Sequence, residues 1–194
     1  MLPNADLHES TPERYDRPTI VMHWLMTLLV IVQWTIGRTT GLLPRGPLRV
    51  DIWSVHVLLG VSIALVLVAR IVWRLRRGRR LPGVGTALER AAASIVHIGL
   101  YVVLAVVVVL GFANTYVHGF PLFNVLTLPG KQDLATILRV NNWHGFAANV
   151  LAVLILLHTV AALFHHYVRR DGVLRRMGRH PEAATQHDKP DLSP

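Results

Sequence analysis

Four apolar runs, roughly residues 18–37, 52–73, 92–113 and 143–168, limit what this chain can fold into more than anything else in its sequence. Each can cross a hydrocarbon core of about 30 Å as a helix, which takes about 20 residues. A membrane strand would show alternation over about ten residues, and none of the runs alternates. The stretch YVVLAVVVVLGFA (101–113) is rich in β-branched residues and in water would pass for a buried strand. In lipid a lone strand leaves its backbone polar groups without partners, whereas a helix satisfies them within itself. Composition agrees: 52% of the residues are hydrophobic and 16% charged, too apolar for a water-soluble domain of 194 residues. The expectation is an all-α membrane protein, a bundle of four transmembrane helices over residues 18–168. An N-terminal segment, 1–17, precedes it. A tail, 169–194, follows, basic at first, then polar, proline-rich and disordered.

The net charge is +9. The arginines stand at the ends of the apolar runs, a placement that positive-inside sorting explains and nucleic-acid binding does not. Arg70, Arg74, Arg76, Arg77, Arg79, Arg80 and Arg90 surround the second connection, and Arg169, Arg170, Arg175, Arg176 and Arg179 follow the fourth run. The other two connections hold only Arg38, Arg45 and Arg49, then Lys131 and Arg139. Both termini and the 70–90 connection are therefore expected in the cytoplasm. With no cysteine, disulfides, thiolate iron–sulfur clusters and C-x-x-C-H haem attachment are excluded. The first apolar run ends without a small-residue cleavage site, so no cleavable signal is expected.

The fourth run is nearly all apolar yet holds His144, His158, His165 and His166. A histidine in hydrocarbon needs a partner. At about 1.5 Å and 100° per residue, His144 and His158 lie about 21 Å apart along the helix and within roughly 40° of one face. One helix face thus offers a histidine at an outer level and another at an inner level. His23 enters early in helix one from the inner side, and His56 early in helix two from the outer side. The depth pairs are His23 with His158 and His56 with His144. Two imidazoles facing across a bundle suit a six-coordinate haem iron. Gly60, Gly145, Ala147, Ala148, Ala161 and Ala162 leave room beside them for a flat macrocycle, and serve ordinary helix packing equally well. A single membrane histidine is more often a hydrogen-bonding residue than a ligand. Tetrahedral zinc would need its ligands in one shell, which the spacing along helix four forbids.

His97 and His165 fall near the inner level and have two readings: interfacial residues, or proton carriers for a substrate beside the inner pair. Arg70, fourteen residues after His56, returns to the same face at that level. It either snorkels to the interface, the simpler reading, or pairs with a propionate or a carbonyl. The glycines of GVGTAL (83–88) follow no strand and lie in a basic loop, so they are not a nucleotide motif. His8, His118, His180 and His187 lie in connections or tails and carry no assigned role.

Several motifs together resemble the bacterial cytochrome b561 family: HW at His23, HVLLG at His56, VHIGLY at His97, WHGFAANVLAVLILLH at 143–158 and HHY at 165–167. The resemblance covers about residues 14–178, and the two histidines of helix four with the WH opening are its specific part. It implies two b-type haems, His23 and His158 holding one iron and His56 and His144 the other. It further implies a multi-pass protein of the bacterial inner membrane. The well-understood members of the family oxidise superoxide on the outer side and reduce ubiquinone. Related dihaem subunits instead anchor hydrogenases or dehydrogenases and hand their electrons to quinone.

The first function expected from this resemblance is a superoxide:quinone oxidoreductase. Arg45, Arg49, Lys131 and Arg139 would attract the anion outside. Arg70, His97 and His165 would serve quinone inside. The expected partners are membrane lipid, quinone and superoxide, with no nucleic acid. The rival is an electron-carrying anchor subunit docked to a redox partner, and a bundle without cofactor is the third reading.

Overall fold

The computed structural model describes residues 14–178 except 80, 129, 131 and 132. The N-terminal residues through 13, Arg80, Lys131, Arg179, the proline-rich tail and His8, His180 and His187 lie outside the described residues. Four long helices dominate: α1, Arg17–Thr39; α2, Pro47–Arg76; α3, Ala87–His118; and α4, Leu134–Phe164. All four are long and apolar enough to cross a membrane. Their 23, 30, 32 and 31 residues correspond to about 35–48 Å of helix, enough to pass the hydrocarbon and enter the headgroups.

Local chemistry sets the helix ends beyond the apolar runs. The Asp16 side chain accepts from the Thr19 amide and caps α1, with Pro18 in its first turn. Pro47 opens α2. Thr86 and Glu89 form a reciprocal capping box at α3, and Gly119, with φ of 57°, closes it in the left-handed region. Asp133 caps α4 through the Ala135 and Thr136 amides. The glycines of the discarded GVGTAL stretch thus lead into a helix cap.

Two boundaries differ from the sequence expectation. Residues 114–142, between the third and fourth apolar runs, hold the last turn of α3, a hairpin pairing β1 (Pro121–Leu122) with β2 (Leu126–Thr127), and the opening turns of α4. Polar residues such as Arg139, Asn141 and Asn142 hid those opening turns from a reading based on apolarity. At the other end α4 stops at Phe164, and His165–Arg169 form a π-helical turn rather than the last turn of an α-helix.

The bundle consists of two tight helix pairs, α1 with α2 and α3 with α4, joined mainly through α2 against α3. Met26, Val30, Ile63, Leu67, Leu104 and Leu151 form the buried core. Every one of them lies midway along its helix, so the core is an apolar plug at the centre of the membrane. The opposite faces carry exposed Val21, Leu28, Leu65, Val102, Val109 and Leu156, as expected of surfaces solvated by lipid. Both described ends of the chain lie on one side of the bundle. There the Tyr15 amide donates to the Arg176 carbonyl at 3.2 Å, and the Trp24 indole to the Met177 carbonyl at 3.0 Å. On the opposite side the Phe123 amide donates to Oγ of fully buried Ser54 at 2.8 Å, pinning the hairpin to α2.

Candidate functional site

Histidines face each other at two levels of the bundle. The ring centres of His56 (α2) and His144 (α4) are 6.3 Å apart, with planes at 81°. Those of His23 (α1) and His158 (α4) are also 6.3 Å apart, at 78°. The apolar plug lies between the two levels, with Leu151 midway between His144 and His158 in the chain. Each pair joins helices from different tight pairs, across the looser seam of the bundle. Among the described residues, no group of three or more His, Asp or Glu side chains is arranged to hold a metal ion.

The His56–His144 pair has close neighbours that the sequence reading did not single out. A methyl group added at Gly111 (α3) would lie 3.2 Å from Cε1 of His144, and one added at Gly37 (α1) 3.3 Å from Cε1 of His56. The two glycines are where the helices give the rings space, and Gly145 faces open space, with nothing within 4 Å of an added methyl group. Nδ1 of His144 lies 3.1 Å from the Val107 carbonyl. A carbonyl only accepts, so the hydrogen is on Nδ1 and Nε2 keeps its lone pair. Nδ1 of His56 is buried without a hydrogen-bond partner. Gln33 itself donates to the His56 carbonyl at 2.8 Å.

The His23–His158 pair has a different surround. His97 (α3) comes within 5.2 Å of His158, ring centre to ring centre. Arg70 lies within electrostatic reach of His23, His97 and His158. It does not snorkel outward, the simpler expectation. Its Nε donates to the Tyr101 hydroxyl at 2.7 Å, and its NH1 is buried without a partner. Tyr101 was not singled out in the sequence.

His165, expected beside Arg70 and His97, instead bonds Asp171 at the rim of the bundle. His165 still follows the path of α4, its amide bonding to the Ala161 and Ala162 carbonyls, and the π-turn and reversal beyond it bring the Asp171 carboxylate alongside its ring. Asp171 lies just past the apolar run, where periodicity offers no clue to it. Burial raises its pKa, but the bonds from His165 and the Val173 amide outweigh this and hold the carboxyl below its ordinary value.

A sequence profile described as prokaryotic cytochrome b561 matches residues 14–180. The chain is 30% identical over 175 residues to a Yersinia pestis protein named "Probable superoxide oxidase CybB", covering 85% of this chain and 96% of that one. It is 29% identical over 174 residues to "Cytochrome b561 homolog 1" of Escherichia coli K12, covering 84% and 96%. A third relative, "Cytochrome b562" of Cereibacter sphaeroides, is 29% identical over 175 residues, covering 85% and 95%.

The chain belongs to the prokaryotic cytochrome b561 family. It is accordingly a multi-pass membrane electron-transfer protein of oxidoreductase type, from a family that binds haem b. The residues of this cytochrome b561 fit such a group. Two imidazole nitrogens each about 2 Å from one metal ion put the ring centres roughly 6.3 Å apart. Both facing pairs have that separation, whereas His97 and His158 are too close to flank an iron. The seam between the helix pairs is where a flat ring can enter.

A signal for Gly37 and Gly111 was present in the sequence. His23 and Gly37, His56 and Arg70, His97 and Gly111, and His144 and His158 are each fourteen residues apart. Every helix of this cytochrome b561 brings one such residue to each level on nearly the same face.

Proposed function

We propose that this cytochrome b561 holds two b haems, one between His56 and His144 and one between His23 and His158, and carries electrons from superoxide on its outer side to ubiquinone on its inner side. The observation that carries this reading is the pair of equal 6.3 Å separations, one on each side of the apolar plug. The arginine-rich end, with both termini, faces the cytoplasm of a bacterial inner membrane, as positive-inside sorting requires. Functionally the chain divides into the N-terminal segment 1–17, the dihaem bundle 18–168 and the tail 169–194.

Bound haem supplies one-electron chemistry at each level. Superoxide gives up one electron and leaves as O₂. Two such electrons and two protons convert ubiquinone to ubiquinol. On the outer side Arg45, Arg49 and Arg139 raise the local concentration of the anion, and Arg45 is exposed there. The Val107 carbonyl holds the hydrogen on Nδ1 of His144, so Nε2 would be the nitrogen that holds a haem iron. On the inner side the unpartnered NH1 of Arg70 is a donor held ready for a quinone carbonyl or a propionate, with Tyr101 fixing the guanidinium. His97 hands a proton to the reduced quinone oxygen. His165, held by Asp171 at the rim, resupplies it from water.

The relative named as a probable superoxide oxidase supports superoxide as donor. The second reading, an electron-carrying subunit docked to a redox partner, draws on the exposed apolar hairpin on the outer side, where Val125 is 89% and Leu126 60% exposed. Mixing the purified protein with superoxide and ubiquinone decides between them. Haem reduction by superoxide followed by reoxidation by ubiquinone supports the first. Inert haems, together with copurification of a large hydrophilic subunit, support the second.

A further inference from the structure

Past α4 the chain leaves the helical path through the π-turn His165–Arg169 and reverses at Arg170, with φ of 53°, and Gly172, with φ of 76°. The reversal folds residues 173–178 back beneath the bundle, where Arg176 donates to the Pro82 carbonyl at 2.7 Å. It also shapes a half-open cavity of about 220 Å³ lined by His166, Tyr167, Arg170, Gly172 and Arg175.

The cations around this cavity divide into two kinds. Arg169 is paired with Glu89 and Arg176 with the Pro82 carbonyl, and neither lines it. Arg170 and Arg175 do line it, and among the described residues their side chains have no hydrogen-bond or ion-pair partner. His166 and the Tyr167 hydroxyl add donors to the same wall. No acidic residue lines the cavity, and the carboxylate of Asp171, between Arg170 and Gly172, is engaged by His165, so the two arginines leave the cavity suited to an anion. Its position identifies the anion's source. Val160, Phe164 and Tyr167 lie on one face of α4 and its π-turn, exposed by 54%, 50% and 69%. They form an apolar track from the membrane interior to the cavity mouth, which an acyl chain would follow and a free phosphate would leave bare.

We propose that this cavity binds the headgroup of an anionic phospholipid, with Arg170 and Arg175 on the phosphodiester oxygens, His166 and Tyr167 beside them, and an acyl chain along Val160 and Phe164. Basic pockets at the arginine-rich side of a membrane protein recognise such headgroups by charge. The assignment concerns neither histidine pair and stands apart from the electron donor and acceptor.

The test is native mass spectrometry of delipidated holoprotein titrated with phosphatidylglycerol or phosphatidylcholine. The expected result is one phosphatidylglycerol retained about tenfold more strongly than phosphatidylcholine. Arg170→Gln/Arg175→Gln should weaken that retention about 25-fold, each charge at the membrane surface being worth about fivefold. Arg76→Gln/Arg77→Gln, which removes the same charge from the same end of the bundle but away from the cavity, should leave it nearly unchanged. Equal retention of the two lipids overturns the proposal, as does loss in the Arg76/Arg77 variant as large as in the other. Displacement of phosphatidylglycerol by millimolar inorganic phosphate would identify a free-anion site and overturn the lipid assignment. If the double variant loses its haem absorption, Arg175→Gln alone, outside every transmembrane helix, tests the same contact with an expected loss of about fivefold.

Discussion

Gly111→Ala adds one methyl group at the point where α3 meets the outer histidine pair. The new carbon would lie 3.2 Å from Cε1 of His144, inside the 3.4 Å at which ordinary contact begins, so the ring must retreat by a few tenths of an ångström. The ring is not free to do so, because its Nδ1 is bonded to the Val107 carbonyl at 3.1 Å, one turn earlier on the same helix as Gly111. Retreat strains that bond and shifts the His144 ring relative to His56. Overpacking of this kind costs about 1–3 kcal/mol, and alanine recovers up to about 1 kcal/mol through its higher helix propensity. The net loss of about 1–2 kcal/mol corresponds to outer haem held roughly 5–30-fold less tightly. Gly37→Ala makes a similar contact, 3.3 Å from Cε1 of His56, but that ring has no hydrogen bond on Nδ1 and can pivot. Its effect should be under about 1 kcal/mol once helix propensity is included. Haem transfer to excess apomyoglobin, followed with the reduced α-band spectrum, reads both variants. Gly111→Ala should release the component that His56→Ala also loses. If it releases the component that His23→Ala loses, or releases neither faster than wild type, the reasoning is refuted.

Three further expectations follow from the same geometry. Pyridine haemochrome analysis should give two haems per chain; His56→Ala and His144→Ala should remove one spectral component, and His23→Ala and His158→Ala the other. His97→Phe should keep both components and fast reduction by the donor, yet slow reoxidation by ubiquinone by about tenfold or more, the size of lost acid–base assistance; unchanged reoxidation would remove His97 from proton transfer. Asp16→Ala should lower stability by about 1–2 kcal/mol by removing a helix cap, read as an earlier thermal loss of haem absorption. The loss should come with the partners Asp16 also serves, the Trp73 indole at 2.6 Å and the Arg79 amide at 3.1 Å. Burial raises the Asp16 pKa, but the bonds from Arg79, Thr19 and Trp73 outweigh it and leave the carboxyl below its ordinary 3.8. The stabilisation is therefore full above that value and disappears as pH falls through the lower folded pKa. Wild type and Asp16→Ala should differ in thermal midpoint at neutral pH and converge in acid, and a constant difference would show that the charge of Asp16 is not involved.

The helix boundaries show where reading apolarity stops. The run ending near 37 and the helix ending at Thr39 nearly coincide, because the apolar stretch and the helix are there the same thing. At α4 they separate by nine residues, from 143 in the run to Leu134 in the helix, because the opening turns sit among headgroups and carry Arg139, Asn141 and Asn142. The hairpin at 121–127 was illegible for another reason. It is held by a buried serine on a distant helix, and no local pattern encodes that contact.

Depth along a helix is a property of the sequence alone. Rise and rotation per residue are constants of the α-helix, so the fourteen-residue spacing and the direction of each span suffice to place His23 with His158 and His56 with His144. Lateral approach is not such a property. That Arg70 turns inward to Tyr101, that His97 stands 5.2 Å from His158, and that Gly37 and Gly111 rather than Gly145 lie against the rings all depend on how each helix is rotated against its neighbours. That rotation is set by side-chain packing summed over whole helix faces. The turn past α4 makes the same point locally: His165 pairs with Asp171, a partner that becomes visible only once the π-turn and the reversal at Arg170 and Gly172 have folded the chain back on itself.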